Sequence, residues 1–254
     1  MKRGVYPFKV RSYECGADAR ATLPTICNYL QEAASLNAEA LGFSKGDFAA
    51  AGENVSWVLT RLVVRMARYP AWGETVTVET FPRGGRKIVA WRDFEMKDGR
   101  GETLGVATSE WMLIDLVSRK IVAVPESVLR CASPDNAPVL GAEPFSRLRY
   151  PSSAMPGEPL SFVAQQSQID LNGHVNNVHY VAWMLEPCAN ACPDEMEIVF
   201  RSETLVGDKV MVEAVVADGF TYHRVSAPDG RDHVVARTRS GPTNEISPFS
   251  FDMS

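Results

Sequence analysis

Residues 169–188 read IDLNGHVNNVHYVAWMLEPC, and the two parts of this stretch ask for different structures. Asp170, Asn172 and His174 alternate with Leu171 and Gly173, so an extended segment or a tight turn would project all three polar side chains to one side. From Val175 to Pro193 the only formally charged residue is Glu186, and Val178, Val181, Leu185 and Cys188 recur at spacings of three, four and three. That spacing predicts a helix buried on most sides, reaching Cys188 and Cys192 and ended or kinked at Pro187. Unpaired N–H groups at its start would carry the positive end of the helix dipole, which suits an oxygen that gains negative charge during a reaction. Gly173 would let a substrate approach the backbone closely. The same residue types also cap helices and close turns, so the cluster by itself fits either a site or a turn.

Working outward, an extended segment at residues 5–14 precedes a second helical pattern, with Leu23, Ile26 and Leu30 in register, Thr22 as cap, Pro24 in the first turn and Gly42 as stop. Four stretches rich in β-branched and aromatic residues follow, at 57–64, 75–81, 88–96 and 103–115, separated by Pro70, Gly84-Gly85 and Asp98-Gly99. One helix followed by antiparallel strands is an α+β pattern. Residues 125–159 break it with seven of the chain's 16 prolines, and a short helix is expected at 127–131. Beyond this linker the order returns: a strand at 161–165, the helix of the opening stretch, then strands at 197–202, 209–217, 222–226 and 232–240. The run WGETVTV at 72–78 parallels VGDKVMV at 206–212, a constant offset of 134. Matching Tyr29 to Tyr180 sets Ala19, Ala21 and Leu23 opposite Asp170, Asn172 and His174, which predicts a duplicated fold whose polar cluster survives only in the second half.

With 254 residues, 45% of them hydrophobic, the chain can bury a substantial core. It has no run of about 18 apolar residues, and MKRGVYPFKVRSYE lacks an apolar signal core, so a cytoplasmic protein without a membrane span is expected. Five cysteines (Cys15, Cys27, Cys131, Cys188, Cys192) form no C-x-x-C pair, which points to reduced thiols and no zinc framework. The net charge of −5 argues against nucleic acid as a partner, since phosphate binding needs concentrated positive charge. Two local basic groups, Arg83 with Arg86 and Lys87, and Arg61 with Arg65 and Arg68, are candidate docking patches. His179, His223 and His233 are expected to be structural or exposed. No nucleotide fingerprint, phosphate loop or metal-ligand set appears, so neither cofactor nor metal is implied.

The string DLNGHVNNVHYVAWMLE resembles the second-half active-site segment of acyl-acyl-carrier-protein thioesterases. The resemblance extends to RSYECGADARATLPTICNYLQEAA and to the stretch from Arg92 through ATSEWMLIDLVSRKIVAVP. It implies an α+β chain of two tandem hotdog domains, each an antiparallel sheet wrapped around a long helix. An acyl-binding domain at 1–124 and a catalytic domain at 160–254 would flank the linker at 125–159. It further implies release of free fatty acid from acyl-acyl carrier protein. Asp170, Asn172 and His174 match the family's motif, and Glu203 aligns with the glutamate after the corresponding strand. Glu203 would be general base; Asn172, with the helix amides, would bind water or thioester carbonyl; Asp170 and His174 would orient Asn172 and tune charge. The acyl chain would lie in a tunnel of the first domain, to whose wall Leu23, Ile26, Cys27, Leu30 or Trp111 could contribute. Many plant members carry cysteine immediately after that glutamate, whereas this chain has Thr204, a departure that favours direct attack by water. An acyl-CoA thioesterase and a non-catalytic acyl-binding hotdog module stay open as alternatives, as does a homodimer.

Overall fold

In a computed structural model, residues 3–132, 137–141, 145–151, 157–188 and 192–241 are described. The elements run β1 (Gly4–Lys9), α1 (Leu23–Ala40), α2 (Lys45–Ala50), β2 (Val55–Met66), β3 (Thr75–Arg86), β4 (Val89–Lys97), β5 (Thr103–Asp115), β6 (Ile121–Val122) and α3 (Glu126–Leu129). After the linker come β7 (Leu160–Val163), α4 (Asn177–Leu185), β8 (Glu195–Phe200), β9 (Lys209–Ala217), β10 (Phe220–Ser226) and β11 (Asp232–Arg239). The strands build one antiparallel sheet in the order β1-β3-β4-β5-β2-β8-β11-β10-β9-β7, with β6 attached to β5. From either edge inward the connectivity is the same: β1, β3, β4, β5, β2 on one side and β7, β9, β10, β11, β8 on the other. The offset of 134 read from the sequence superposes the start of β3, Thr75, on the start of β9, Lys209.

At the starts of β3 and β9 every second residue is buried, as for Val76 and Val78 or Val210 and Val212. That is the two-residue period of a pleated strand. Both α1 and α4 bury their apolar faces in the same hydrophobic cluster as these strands. Thr22 caps α1 through its hydroxyl, which accepts from Thr25 N, and Pro24 sits in the first turn. Gly42 ends it with φ +76°: its N–H reaches Glu39 O at 2.9 Å, and Phe43 N–H reaches Ala38 O at 2.8 Å. This is a Schellman closure, and a left-handed residue is what it requires.

Two expectations are corrected, and one element goes beyond them. The second helix is half the length of the first and stops at Leu185, so Cys188 and Cys192 lie beyond it; Pro187 disfavours helix in the residue before it and cannot donate to the ladder. The pair Gly84-Gly85 does not turn the chain. It sits in a bulge of β3, where a Cβ on Gly85 would come within 2.1 Å of Val89 O, and the turn itself is Lys87-Ile88. A six-residue helix, α2, was not foreseen, although its capping box of Ser44 and Asp47 is written in the sequence.

The described part of the linker is strapped to the sheet. Val139 N donates to buried Asp93, Ser146 N and Oγ donate to buried Glu197 at 2.8 and 2.7 Å, and Arg201 donates to Leu148 O. Its short helix, expected at 127–131, is α3, one residue earlier at its start.

Candidate active site

Asp170 organises the turn that carries the polar cluster. Its backbone N–H donates to His174 O at 2.8 Å, its carbonyl accepts from Gly173 N at 3.0 Å, and its carboxylate accepts from Asn172 N at 2.7 Å and from His174 N at 3.5 Å. Gly173, with φ +82°, takes the left-handed corner. Asp170 is therefore a turn former, and the turn presents Asn172 and His174. The Asn172 amide is held from both sides, its Nδ2 donating to Asp170 Oδ2 at 3.5 Å and its Oδ1 accepting from Lys45 Nζ at 3.3 Å. The start of α4 is less available than its sequence implied. Asn176 caps it, its side chain accepting from Val178 N and its carbonyl from His179 N, so these two amides are already satisfied.

Glu203 reaches the cluster because the chain after β8 is clamped to the turn. Val175 N–H donates to Thr204 O at 3.0 Å, which sets the residue before each, His174 and Glu203, side by side. His174 Nε2 lies 3.1 Å from Glu203 Oε2. Arg119, from the turn between β5 and β6, donates to the same carboxylate oxygen. Thr204 is wholly buried, its hydroxyl 3.1 Å from His233 Nδ1. Four residues separated by up to 33 positions thus meet around one turn, with Asp170 supporting and Asn172, His174 and Glu203 presented outward.

The first half repeats this framework with other side chains. The bridge Cys15–Ala21 matches Ile169–Val175, the cap Thr22 matches Asn176, and left-handed Ala19 matches Gly173, an offset of 154. Ala21 N–H donates to Pro70 O just as Val175 donates to Thr204. The match of Tyr29 to Tyr180 is therefore three residues out of register. Gly16, Asp18 and Arg20 stand opposite Asp170, Asn172 and His174, and Tyr69 stands opposite Glu203. Arg20 there donates to the backbone of Tyr69 at 2.9 Å. The first half keeps polar residues, among them Asp18, whose carboxylate accepts from Arg20 N at 3.1 Å, but it has Gly16 in place of Asp170 and Tyr69 in place of Glu203.

A cavity of about 270 Å³ opens beside Asn172 and runs into the first half, between the C-terminal part of α1 and the sheet. Its apolar wall includes Ala34, Ala38, Phe43, Trp57, Trp91 and Trp111, with Leu171 and Lys45 at the Asn172 end. Of the five residues expected in a tunnel wall, Trp111 lines it; Leu23, Ile26, Cys27 and Leu30 are buried in the main core instead. They occupy the first two turns of α1, whereas the cavity lies along its last two. Besides Lys45, a buried cation faces the cavity: Arg92 donates to Asn37 Oδ1 at 2.6 Å and to Thr80 Oγ1 at 3.2 Å, and burial lowers its pKa to about 10.

The remaining candidates fall outside this constellation. Arg83 is buried and stacks with Arg86 over Trp91, so only Arg86 and Lys87 of that patch are exposed. Arg61, Arg65 and Arg68 each face a carboxylate, of Glu110, Glu195 and Glu74. Burial lowers the pKa of His179, His223 and His233, and His223 and His233 are wholly buried. Burial raises the thiol pKa of all five cysteines, Cys27 to about 12. Among the described residues no group of three or more His, Cys, Asp or Glu side chains converges as a metal would require, and no helix is long and apolar enough to cross a membrane.

Comparison with known proteins matches this architecture throughout. The family model of the acyl-ACP thioesterase N-terminal domain matches residues 5–131, and that of the acyl-ACP thioesterase C-terminal domain matches residues 157–239. The chain is 31% identical to the chloroplastic palmitoyl-acyl carrier protein thioesterase of Gossypium hirsutum over 96% of its own length and 65% of the relative's. It is 30% identical to the chloroplastic acyl-[acyl-carrier-protein] hydrolase FATB2 of Cuphea viscosissima, over 93% and 62%. It thus spans just under two thirds of the length of these two curated relatives. Among solved structures, the 12:0-ACP thioesterase of Umbellularia californica superposes with a TM-score of 0.81 at 25% identity, covering 92% of this chain and 95% of that one. An acyl-ACP thioesterase of Bacteroides thetaiotaomicron shares the fold with a TM-score of 0.77 at 22% identity, over 93% and 97%. With both family models matched in order, and with helices and sheet arranged as in those hotdog-fold structures, this chain belongs to the acyl-ACP thioesterase family.

Proposed function

We propose that the protein hydrolyses the thioester of a fatty acyl-acyl carrier protein and releases the free fatty acid, with Asp170, Asn172, His174 and Glu203 as its catalytic set. The observation that carries this reading is the contact of His174 Nε2 with Glu203 Oε2 at 3.1 Å, on the turn whose neighbour Asn172 borders the apolar cavity. The acyl chain enters the cavity, and the thioester carbonyl stays at Asn172, whose amide N–H polarises the oxygen. Glu203 takes a proton from a water that attacks the carbonyl carbon, and His174 holds the carboxylate toward that water. As the C–O bond forms the C–S bond breaks, and the proton leaves with the pantetheine thiolate. Residues 1–124 would then serve as the acyl-binding part and 160–254 as the catalytic part, joined by the linker at 125–159, in a cytoplasmic enzyme of fatty acid synthesis.

Turnover of a panel of acyl-carrier-protein and acyl-CoA thioesters of graded length tests the substrate. Acyl-carrier-protein is expected to give the higher kcat/KM, with an advantage that shrinks as salt screens an acidic carrier from the protein's cations. Equal preference at low salt would favour an acyl-CoA thioesterase. Asn172→Ala, His174→Ala and Glu203→Ala are each expected to slow hydrolysis by about two orders of magnitude or more in folded protein. Saturable acyl binding without turnover by the wild-type chain would favour the non-catalytic module.

A further inference from the structure

We infer that Arg119 is a positioning residue of the active site, contributed by the first half of the chain and acting through Glu203. This rests on the reading of Glu203 as general base. Arg119 lies 84 residues from Glu203 in sequence, yet its guanidinium and His174 Nε2 both contact Glu203 Oε2. Among the described residues no donor from the protein reaches Oε1. The Arg119 hydrogen bond on Oε2, with His174 Nε2 packed 3.1 Å from the same oxygen, fixes the rotation of the carboxylate and turns the other oxygen outward, the one able to take a proton from water.

The backbone under Arg119 points the same way. It has φ +57° in the turn from β5 to β6, a left-handed conformation that glycine or asparagine adopts more readily than arginine. The turn imposes this conformation. Asp115 accepts from Val117 N and Ser118 N through its carboxylate and from Arg119 N through its carbonyl, while Asp115 N donates to Lys120 O. Arginine at such a corner is strained, and the ion pair it makes is half exposed, with 45% of the Arg119 side chain and 46% of the Glu203 side chain accessible. Pairs that exposed contribute little to stability, so stability does not account for arginine at this corner, whereas orientation of Glu203 does. Lys45 provides a parallel from the same half, since it holds Asn172 Oδ1. The first half would thus supply a cation to each of the two reacting side chains of the second.

Steady-state kinetics on Arg119→Gly, Arg119→Ala and Arg119→Lys, alone and combined with Glu203→Gln, test the inference. Arg119→Gly suits the left-handed corner, so it should unfold at least as high in temperature as the wild type and still lose kcat by about tenfold, part of what a general base supplies. KM should change less than twofold, and Arg119→Lys should recover part of kcat. In the Glu203→Gln background the Arg119→Ala loss should vanish, because a residue acting through Glu203 has nothing left to position. An undiminished Arg119→Ala loss in that background overturns the inference, and so does a loss confined to KM for the carrier-bound substrate, which would make Arg119 a docking residue. Wild-type turnover by Glu203→Gln alone would instead overturn the general-base assignment, and the positioning role with it.

Discussion

Thr204 occupies a framework position. Its carbonyl clamps Val175 to the site and its hydroxyl faces His233 Nδ1 at 3.1 Å, with no exposure to solvent. A nucleophile would need to leave that network, and each cysteine that could replace it has its thiol pKa raised by burial, which keeps thiols inert. A variant with all five cysteines replaced by serine or alanine, provided it folds, is therefore expected to keep most of its activity. Rapid mixing should show no burst of released thiol; a thioester adduct trapped on any cysteine would refute direct attack by water. Burial also ties stability to pH through His223. Burial holds His223 down to about 4, against the backbone of Met184 that favours its charged form. The unfolded chain, with its histidine near 6.5, binds more protons between those values, so stability rises with pH through this window. It is fully present above about 6.5 and is lost as pH falls toward 4, by on the order of 3 kcal/mol for this residue. Chemical denaturation at pH 7 and pH 5 measures it, and His223→Gln should flatten the difference. At this scale Asp170, Asn172 and His174 were legible because alternation within five residues is a local signal. Glu203 needed a family resemblance, and Arg119 gave no local sign, since its partner is set by how two distant turns are brought together.

Elements were legible where a local rule and the tertiary fold agree. Gly42 marks the end of α1 in the sequence, and the Schellman bonds from Gly42 and Phe43 are what the mark stands for. Those bonds also aim Phe43 into the cavity wall, where its carbonyl accepts from Trp57 Nε1 at 2.8 Å. Gly42→Ala meets no steric clash, since nothing lies within 4 Å of the added Cβ, so its cost is conformational. We expect about 1 kcal/mol of lost stability by thermal denaturation. Activity on longer acyl chains should fall more than on short ones as Phe43 loosens. A substitution without effect on either would show that the corner is not held by glycine's freedom. Where the local rule and the fold disagree, the sequence misled. Gly84-Gly85 reads as a turn, but the close approach of Val89 O to Gly85 is a tertiary demand. The apolar run after Val175 reads as a long helix, but Pro187 and the exposed Glu186 end it early. The Tyr29–Tyr180 match failed because tyrosines in two helices align by chance, whereas bridges, caps and left-handed corners align by geometry.

The repeat of 134 residues foretold two similar halves, yet it carries no information on how they join. Joining is done by β2 and β8, paired antiparallel from Arg61–Val199 to Arg65–Glu195, so that both half-sheets become one. Side chains at this seam are core for both halves: Leu62 and Val64 of β2 and Met196 and Ile198 of β8 belong to the cluster that also holds α1 and α4. Tyr69 reaches across it, its hydroxyl donating to Pro193 O at 2.7 Å. A seam of backbone bonds and shared core makes independent opening of either half costly, because each would expose an unpaired central strand edge. Ile198 is completely buried there, and Ile198→Ala is expected to cost 2–5 kcal/mol, roughly 5–15 °C in Tm for a chain of this size. The loss should appear in both halves at once. Hydrogen exchange in peptides from β3 and from β9, which lie far from the seam on opposite sides, should accelerate by the same factor, as residues sharing one global opening do. Acceleration confined to β9 would mean that the second half opens alone, and that the site turn and Arg119 are held together by less than one continuous sheet.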